Sequence, residues 1–371
     1  MRTLHVDLGP GWRGGQNQVW LLMNGLRHRG VDAEFLGRED APLLRRAREE
    51  KFVVHSVAAG GAPIRAWVST RWRAAWGLRK LMRVGFYDIV HAHDAHGLTA
   101  AWLAGAHRQA RLVATRRVVY PLGGGLGGAR YRSAHRLVAI SEAVRKAMLA
   151  SCVPDEKIAV VHSGVELPTL PKQEDRKRAR LKFGLSEGEL VLGTVGMFYP
   201  DKGQESLLRM LAVLRRKFPA CRVLLAGEGP ERPRLERLAR ELEIAPAVCF
   251  TGFVEDVAAV YAALDVFLFP AVDEGLGTAL LAAMAHGLPV VALRETAASE
   301  VVDHERSGLL VADCKPETLV DAVRSLLADA QAARRLGEGA RARIAERFSA
   351  EQMVEGNLKV YRELAAEERS R

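Results

Sequence analysis

Twice along this chain of 371 residues, short apolar runs alternate with amphipathic helical stretches, and the second series restarts after a charge-dense segment. In the first series "RTLHVDLG" is an apolar run ending in glycine, and residues 16–29 have helical periodicity closed by Gly30. Further strand candidates are "VDAEFLG", "KFVVHSVA", "DIVHAHD", "ARLVATRR" and "HRLVAISE". In the second series "LVLGTVGMF", "CRVLLAGEG", "AVCFTGF", "DVFLFPA" and "PVVAL" are separated by helical stretches over 203–217, 230–242, 256–263 and 278–286. Three helices over 316–329, 330–347 and 350–367 close the chain. Such alternation argues for parallel sheets covered by helices, here two doubly wound α/β domains. The length suffices for two domains of ordinary size.

The stretch Asp273–Ala292, "DEGLGTALLAAMAHGLPVVA", carries the strongest chemistry. Glu274 stands immediately before Gly275-Leu276-Gly277, and that loop opens the helix at Thr278 and Ala279. Gly287 and Pro289 stop the helix. The first N–H groups of a helix have no internal partner, and its positive end favours phosphate. An ionised carboxylate only accepts hydrogen bonds, so it suits hydroxyl-rich ligands. Phosphate and hydroxyls together point to a nucleotide sugar.

This stretch resembles the signature of family 4 of the retaining glycosyltransferases (glycosyl transferases group 1). The resemblance implies the GT-B fold, two Rossmann-like doubly wound domains facing a central cleft. The family pattern is E-x7-E. Its first Glu contacts the donor sugar, the loop amides hold the diphosphate, and the second Glu grips the ribose. Glu274 matches the first position and Ala282 falls on the second, where an alanine cannot hydrogen-bond a ribose. Similarly, "VLGTVGMFYPDKG" carries the family's glycine, Gly196, and its lysine, Lys202, but has Met197 where the family has an arginine. By the same resemblance Gly252, Phe253 and Val254 lie beside the nucleobase. Gly14 and Gly15 follow the first strand, where loop amides approach the donor diphosphate or acceptor. Arg117 stands where the family has a histidine touching the donor sugar, and a cation there offsets the one missing at Met197.

The resemblance further implies a retaining, metal-independent transfer of a sugar from a nucleotide diphosphate sugar, with no other cofactor. Glu274 orients the sugar and Lys202 neutralises the leaving diphosphate. His93 is the acceptor-side candidate, since an imidazole exchanges a proton or hydrogen-bonds a sugar hydroxyl. The acceptor is expected to be a glycan or a lipid-linked glycan of the cell envelope, such as lipopolysaccharide. Ala282 and Met197 keep open a catalytically degenerate nucleotide-sugar-binding or scaffolding protein of the same fold, and Ala282 also leaves room for another GT-B reaction, such as that of a nucleotide-sugar epimerase, against which the match over 274–292 argues. The expected domains are 1–167, with a helix over 355–371 crossing back, and 186–354. Residues 168–185 form the linker.

Two other patterns in the first half carry less. His91, His93 and His96 cluster with Asp94, but zinc needs a closed four-ligand geometry, and no metal site is assigned. "GGGLGG" at 123–128 satisfies G-x-G-x-x-G formally, yet it follows no glycine-ended strand and opens no clear helix, so it reads as a mobile loop.

Charge is divided unevenly. Residues 1–185 hold 31 Lys and Arg against 15 Asp and Glu, and the remainder 23 against 29. The basic half calls for an acidic partner. Within it, residues 64–83 place Ile64, Trp67, Val68, Ala75, Leu78 and Met82 on one helical face. Arg65, Arg73, Arg79, Lys80 and Arg83 share the other, with Trp72 and Trp76 on or beside it. Tryptophan among basic residues suits a lipid headgroup zone, as an anionic membrane would present. No nucleic-acid module surrounds these residues, so nucleic acid is not expected. The absence of a signal-peptide core and of paired cysteine motifs points to the cytoplasm, including the inner face of the membrane.

Overall fold

The computed structural model describes residues 1–58, 63–123 and 125–369, without the side chains of 63–68, 126, 368 and 369. The chain divides into two compact units, 1–164 with 350–371 and 165–349.

The first unit opens with β1 (Arg2–Asp7), α1 (Gly14–His28), β2 (Asp32–Arg38), α2 (Pro42–Glu49), β3 (Val54–Val57), α3 (Pro63–Val84) and β4 (Ile89–Ala92). It continues with α4 (Ala95–Ala104), β5 (Arg111–Arg116), α5 (Leu126–Arg132), β6 (Arg136–Ala139), α6 (Glu142–Leu149) and β7 (Ile158–Val160). All seven strands are parallel, in the order β3-β2-β1-β4-β5-β6-β7.

The second unit comprises α7 (Gln173–Lys182), β8 (Leu190–Val195), α8 (Gln204–Leu214), β9 (Cys221–Ala226), α9 (Arg232–Glu241), β10 (Val248–Gly252) and α10 (Val257–Ala263). Then come β11 (Val266–Phe269), α11 (Thr278–Ala285), β12 (Val290–Leu293), α12 (Ala298–Val301), β13 (Leu309–Val311), α13 (Pro316–Ala328) and α14 (Ala330–Arg347). Its six parallel strands run β10-β9-β8-β11-β12-β13. The last helix, α15 (Ala350–Arg369), belongs to the first unit and buries Met353, Val354, Leu358, Val360, Tyr361 and Leu364 in its core.

Apolar runs such as Val266–Phe269 and Val290–Leu293 are buried along their whole length, as a sheet covered on both faces requires. In both units the order reverses between the first strand and the fourth, β1/β4 and β8/β11. Ligands of open α/β sheets bind outside the carboxyl ends of the strands at such a reversal.

Three sequence expectations need correction. Residues 168–185 are not a free linker, since they contain α7, which belongs to the second unit. Arg180 of α7 is buried and donates to the carbonyls of Ala263, Ser186, Glu187 and Glu189 and to Asp265, while Arg176 also pairs with Asp265. The charge density that suggests a solvated segment thus anchors the helix. The C-terminal return begins at Ala350 rather than 355, as the division after Ser349 shows. Residues 123–128 do open a helix, α5, behind Gly125 in the left-handed region, and Gly124 lies outside the described residues. Strand β7 and strand β13 were too short and too weakly patterned to be expected at all.

Candidate functional site

In the second unit the loops after β8 and β11 flank the strand reversal. The loop after β8 runs through Gly196 and Met197 to a single 3-10 turn, Pro200–Lys202, and Gly203 then starts α8. Gly203 has φ +71°, and a Cβ there would stand 2.6 Å from the Pro270 carbonyl oxygen. Only glycine therefore lets the two loops approach so closely. The result is a direct contact across the reversal: Lys202 Nζ lies 2.5 Å from Glu274 Oε2 and 2.9 Å from Asp201 Oδ2. Burial opposes the Lys202 ammonium, but the hydrogen bonds to Glu274 and Asp201 outweigh it and hold its pKa above the ordinary lysine value.

Beside this pair, Gly277 has φ +86° and packs so tightly on Phe269 that a Cβ would stand 2.5 Å from the ring. It precedes α11, whose first turn has neither a capping side chain nor an acidic residue. An uncapped helix end next to a lysine is electropositive and suited to phosphate. Gly275, Leu276 and Gly277 are buried, and Thr278 and Ala279 are half-buried. Ala282 is half-buried in the second turn of the helix. Gly196 donates its N–H to Ala226, and the Met197 carbonyl accepts from Gln204. Gly252 ends β10, and after it Phe253 is exposed (66%) with Val254 half-buried beside it.

In the first unit, the loops after β1 and β4 meet at the equivalent reversal. Gly14 and Gly15 open α1, which also lacks a capping side chain. Gly15 lies next to Arg117: a Cβ on it would stand 3.5 Å from Arg117 Cδ. Trp12, half-buried, packs on the core beneath the Arg46 guanidinium.

Two carboxylates meet here, Asp7 buried and Asp94 half-buried. Asp7 accepts from Gly9 N at 2.9 Å and from Gln16 Nε2. Asp94 caps α4 and also accepts from Leu8 N. Burial, and then the neighbouring Asp94 charge, push the Asp7 carboxyl up to about 6, against the pull of Gln16, Gly9 and Arg117. Burial likewise raises Asp94. Among the described residues, no hydrogen bond or ion pair holds the Arg117 side chain. Desolvation lowers its pKa to about 10, while Asp7 and Asp94 support its charge. Sequence reasoning missed Asp7, although its place at the end of the first strand was a usable signal.

His93 follows β4, and its N–H donates to Val6 O. It lies in a buried histidine group that differs from the one expected. His5 of β1 joins His91 and His93, with ring nitrogens within 4.8 Å of one another, while His96 turns away to accept from Arg71 Nε. His5, His91 and His93 are all depressed by burial, His5 to about 3. Five of their six ring nitrogens are already in hydrogen bonds with Thr3, Tyr361, Thr115 or each other. Gathering three nitrogens on one ion would break that pattern. His93 also lines a narrow cleft, with about 10 Å³ of enclosed space, together with Thr115, Arg117, Ser163 and Asn357.

The face of α3 divides as its pattern implies. Ala75, Leu78 and Met82 are buried, while Trp72 (60%), Trp76 (73%), Arg73, Arg79, Lys80 and Arg83 are exposed. The side chains of Ile64, Arg65, Trp67 and Val68 lie outside the described residues. Among the described residues no helix is long and apolar enough to cross a membrane.

Residues 12–168 match Glycosyltransferase Family 4, and residues 175–343 match Glycosyl transferases group 1. A D-inositol 3-phosphate glycosyltransferase of Nocardia farcinica is 30% identical over 390 aligned positions, which span 95% of this chain and 85% of that protein. A GDP-mannose-dependent alpha-(1-6)-phosphatidylinositol monomannoside mannosyltransferase of Mycolicibacterium smegmatis is 32% identical over 212 positions, 54% of this chain and 55% of that protein. The crystal structure of Anabaena HepE with UDP and glucose superposes with a TM-score of 0.84 at 20% identity, covering 97% of this chain and 99% of that one. The chain belongs to the group 1, family 4 glycosyltransferases and has their GT-B fold of two Rossmann-like units.

Proposed function

We propose that this glycosyltransferase moves a sugar from a nucleoside diphosphate sugar to a hydroxyl of a glycan or lipid-linked acceptor, with retention at the anomeric carbon and without a metal ion. The observation that carries the reading is the Lys202–Glu274 contact beside the uncapped start of α11. On donor binding the two side chains part company: Lys202 goes to phosphate oxygens and Glu274 accepts from sugar hydroxyls. Gly196 leaves the loop backbone open to the diphosphate, and Gly252, Phe253 and Val254 border the base. As the bond from the anomeric carbon to the diphosphate oxygen breaks, an acceptor oxygen bonds to the same face, and its proton passes to the departing phosphate. Charge grows on the leaving diphosphate, and Lys202 with the amides of Gly275–Thr278 is placed to stabilise it.

In the first unit, His93 is the acceptor-side residue, and Gly14, Gly15 and Arg117 are donor-binding candidates. The acceptor belongs in this reading to a cell-envelope polysaccharide or lipopolysaccharide. The exposed Trp72, Trp76, Arg79, Lys80 and Arg83 bring the protein to an anionic membrane surface. Sedimentation with vesicles of anionic or of zwitterionic lipid tests that contact, and binding unaffected by Trp72→Ala with Trp76→Ala would remove it.

Titration calorimetry with UDP, GDP, ADP, dTDP and CMP, each with and without EDTA, tests the donor site. The reading expects one diphosphate to bind in an EDTA-insensitive way and to be lost in Lys202→Ala. The N. farcinica and M. smegmatis relatives and the UDP complex of HepE make UDP and GDP the first probes. Ala282 and Met197 favour a second reading, binding without turnover. Nucleotide binding with no product from any donor would select it.

A further inference from the structure

The proton positions in the buried histidine group follow from its hydrogen bonds. Thr3 Oγ1 donates its single proton to the Asp32 carbonyl at 3.2 Å. It can therefore only accept from His5 Nε2, 3.1 Å away, so His5 carries its proton on Nε2. A neutral imidazole has one donor and one acceptor nitrogen, which makes His5 Nδ1 the acceptor. His93 Nε2 lies 2.9 Å from His5 Nδ1 and must be the donor. That leaves a lone pair on His93 Nδ1, which is buried and has no partner among the described residues. Ser163 Oγ and Asn357 Oδ1, on the same cleft, are also buried and unpartnered.

A second chain reaches the cleft from α15. The Tyr361 phenol has one proton and hydrogen-bonds His91 Nδ1. Donated there, that proton puts the His91 proton on Nε2, facing Thr115 Oγ1 at 2.7 Å, and leaves the Thr115 proton for another acceptor. The cleft thus offers two lone pairs, from His93 and Asn357, and one hydroxyl proton, from Thr115. One hydroxyl can accept from Thr115 and donate its single proton to one of these lone pairs, and a neighbouring hydroxyl supplies the proton for the other, beside the Ser163 hydroxyl, whereas an ionised phosphate oxygen brings no proton to either.

We propose that Thr3 and His5 are positioning residues: they lock His93 as the Nε2–H imidazole, whose Nδ1 lone pair accepts from one hydroxyl of a polyol ligand in the first unit's cleft while Asn357 Oδ1 accepts from its neighbour. That this polyol is the sugar acceptor rests on the transferase reading; the locked tautomer does not. Polar partners that fix a ring's proton commonly govern what the opposite nitrogen can do. The phosphate-reading group of the cleft is then Arg117, so the chemistry selects a polyol with its anionic part, if it has one, directed to Arg117.

The test is long-range proton–nitrogen NMR of the full chain with ¹⁵N-histidine, using His93→Gln to assign the His93 signals. The expected result at neutral pH is a single Nε2–H tautomer for His93. In His5→Phe that tautomer relaxes to a mixture, and His5→Asn, whose amide oxygen can accept the same bond, restores it. If His5→Phe does not fold, Thr3→Val keeps both rings, removes only the far acceptor, and should likewise produce a mixture. A wild-type His93 protonated on Nδ1, or a tautomer unmoved by these changes, overturns the proposal. In turnover assays His5→Phe should lower kcat about 10²-fold with the donor KM unchanged, and His5→Asn should recover part of it. If no variant turns over any donor, including wild type, the transferase reading fails while the spectra still decide the tautomer.

Discussion

At the strand reversal of the second unit, the two loops meet in a half-exposed ion pair, Lys202 with Glu274, beside a helix start that no side chain caps. At the reversal of the first unit, the equivalent loops bring together buried Asp7 and half-buried Asp94, next to buried histidines and the Arg117 guanidinium, which no hydrogen bond or ion pair holds among the described residues. The strand order around the two reversals is the same, so the sheet does not dictate the difference. What differs is whether a counter-charge offsets desolvation. Burial opposes the Lys202 ammonium too, but its hydrogen bonds to Glu274 and Asp201 outweigh it. In the first unit, burial suppresses charge on His5, His91 and His93 and converts them into directional hydrogen-bonding groups. One reversal holds charge ready for charge, and the other holds oriented lone pairs and protons.

Acid should separate the two most strongly. Burial holds His5, His91, His93, His96, His107 and His135 of the first unit below the ordinary histidine value of 6.5. In the second unit it does so for His286. A depressed histidine stabilises the fold above 6.5, and that stability is lost as pH falls, because the unfolded chain takes up protons the folded one refuses. At about pH 5 His5 alone then costs about 2 kcal/mol, and His91 and His93 act in the same direction. Asp7 acts in the opposite sense: its raised pKa adds stability as pH falls from about 6 toward 3.8, but it is a smaller contribution than three histidines. Hydrogen exchange on acidification should therefore show lost protection across residues 1–164 before 165–349. Equal loss in both units would break the comparison.

The next largest effect belongs to the second unit. Lys202→Ala should lower turnover by about 10²- to 10³-fold, the cost of removing one group that stabilises developing charge. Glu274 is accessible enough to be solvated when its partner goes, so the melting temperature should barely move. A large drop in stability with nucleotide affinity intact would make the pair a structural clasp. Arg117→Ala in the first unit should act more weakly, reducing the affinity for the nucleoside diphosphate donor about tenfold through one lost charge-assisted contact. It should also push Asp7 further up, since the Arg117 charge lowers it now. Carboxyl ¹³C NMR reads that shift directly, and an unmoved Asp7 would show that Arg117 does not act on the carboxylates.

The contrast also explains what the sequence made legible. Glu274, the glycine loop and Lys202 stand in short continuous motifs where glycines force a local geometry, as Gly203 and Gly277 do against Pro270 and Phe269. Such constraints are written in neighbouring residues. The first unit's site is assembled from Thr3, His5, His93, Thr115, Asn357 and Tyr361, drawn from three strands or strand ends and the last helix. Alternation placed His91 and His93 on one strand face, but nothing local announced that His5 would be their register neighbour or that Tyr361 would close over them. His96, nearer in sequence, was the more obvious third member and pairs with Arg71 instead. The helix α7 was misread for a related reason. Whether an arginine is solvated or bound to carbonyls 80 residues away is a tertiary fact.

The smallest effect expected is the most discriminating for the second unit. Ala282 is half-buried on α11, in the place where the resembling family carries its ribose-binding glutamate. If the donor reading holds, Ala282→Glu adds an acceptor for ribose hydroxyls at that position. One hydrogen bond of net worth near 1 kcal/mol should tighten UDP or GDP about fivefold. Inorganic pyrophosphate has no ribose, so its affinity should not rise, and the added negative charge beside the α11 start should lower it slightly. The ratio of the two affinities is therefore the readout, because it cancels any general loosening of the helix. A rise for both ligands would point to a change in loop order, not to a ribose contact. No rise for either nucleotide would place the ribose away from α11, and would leave Lys202 and Glu274 to bind a phosphate-bearing ligand of another kind.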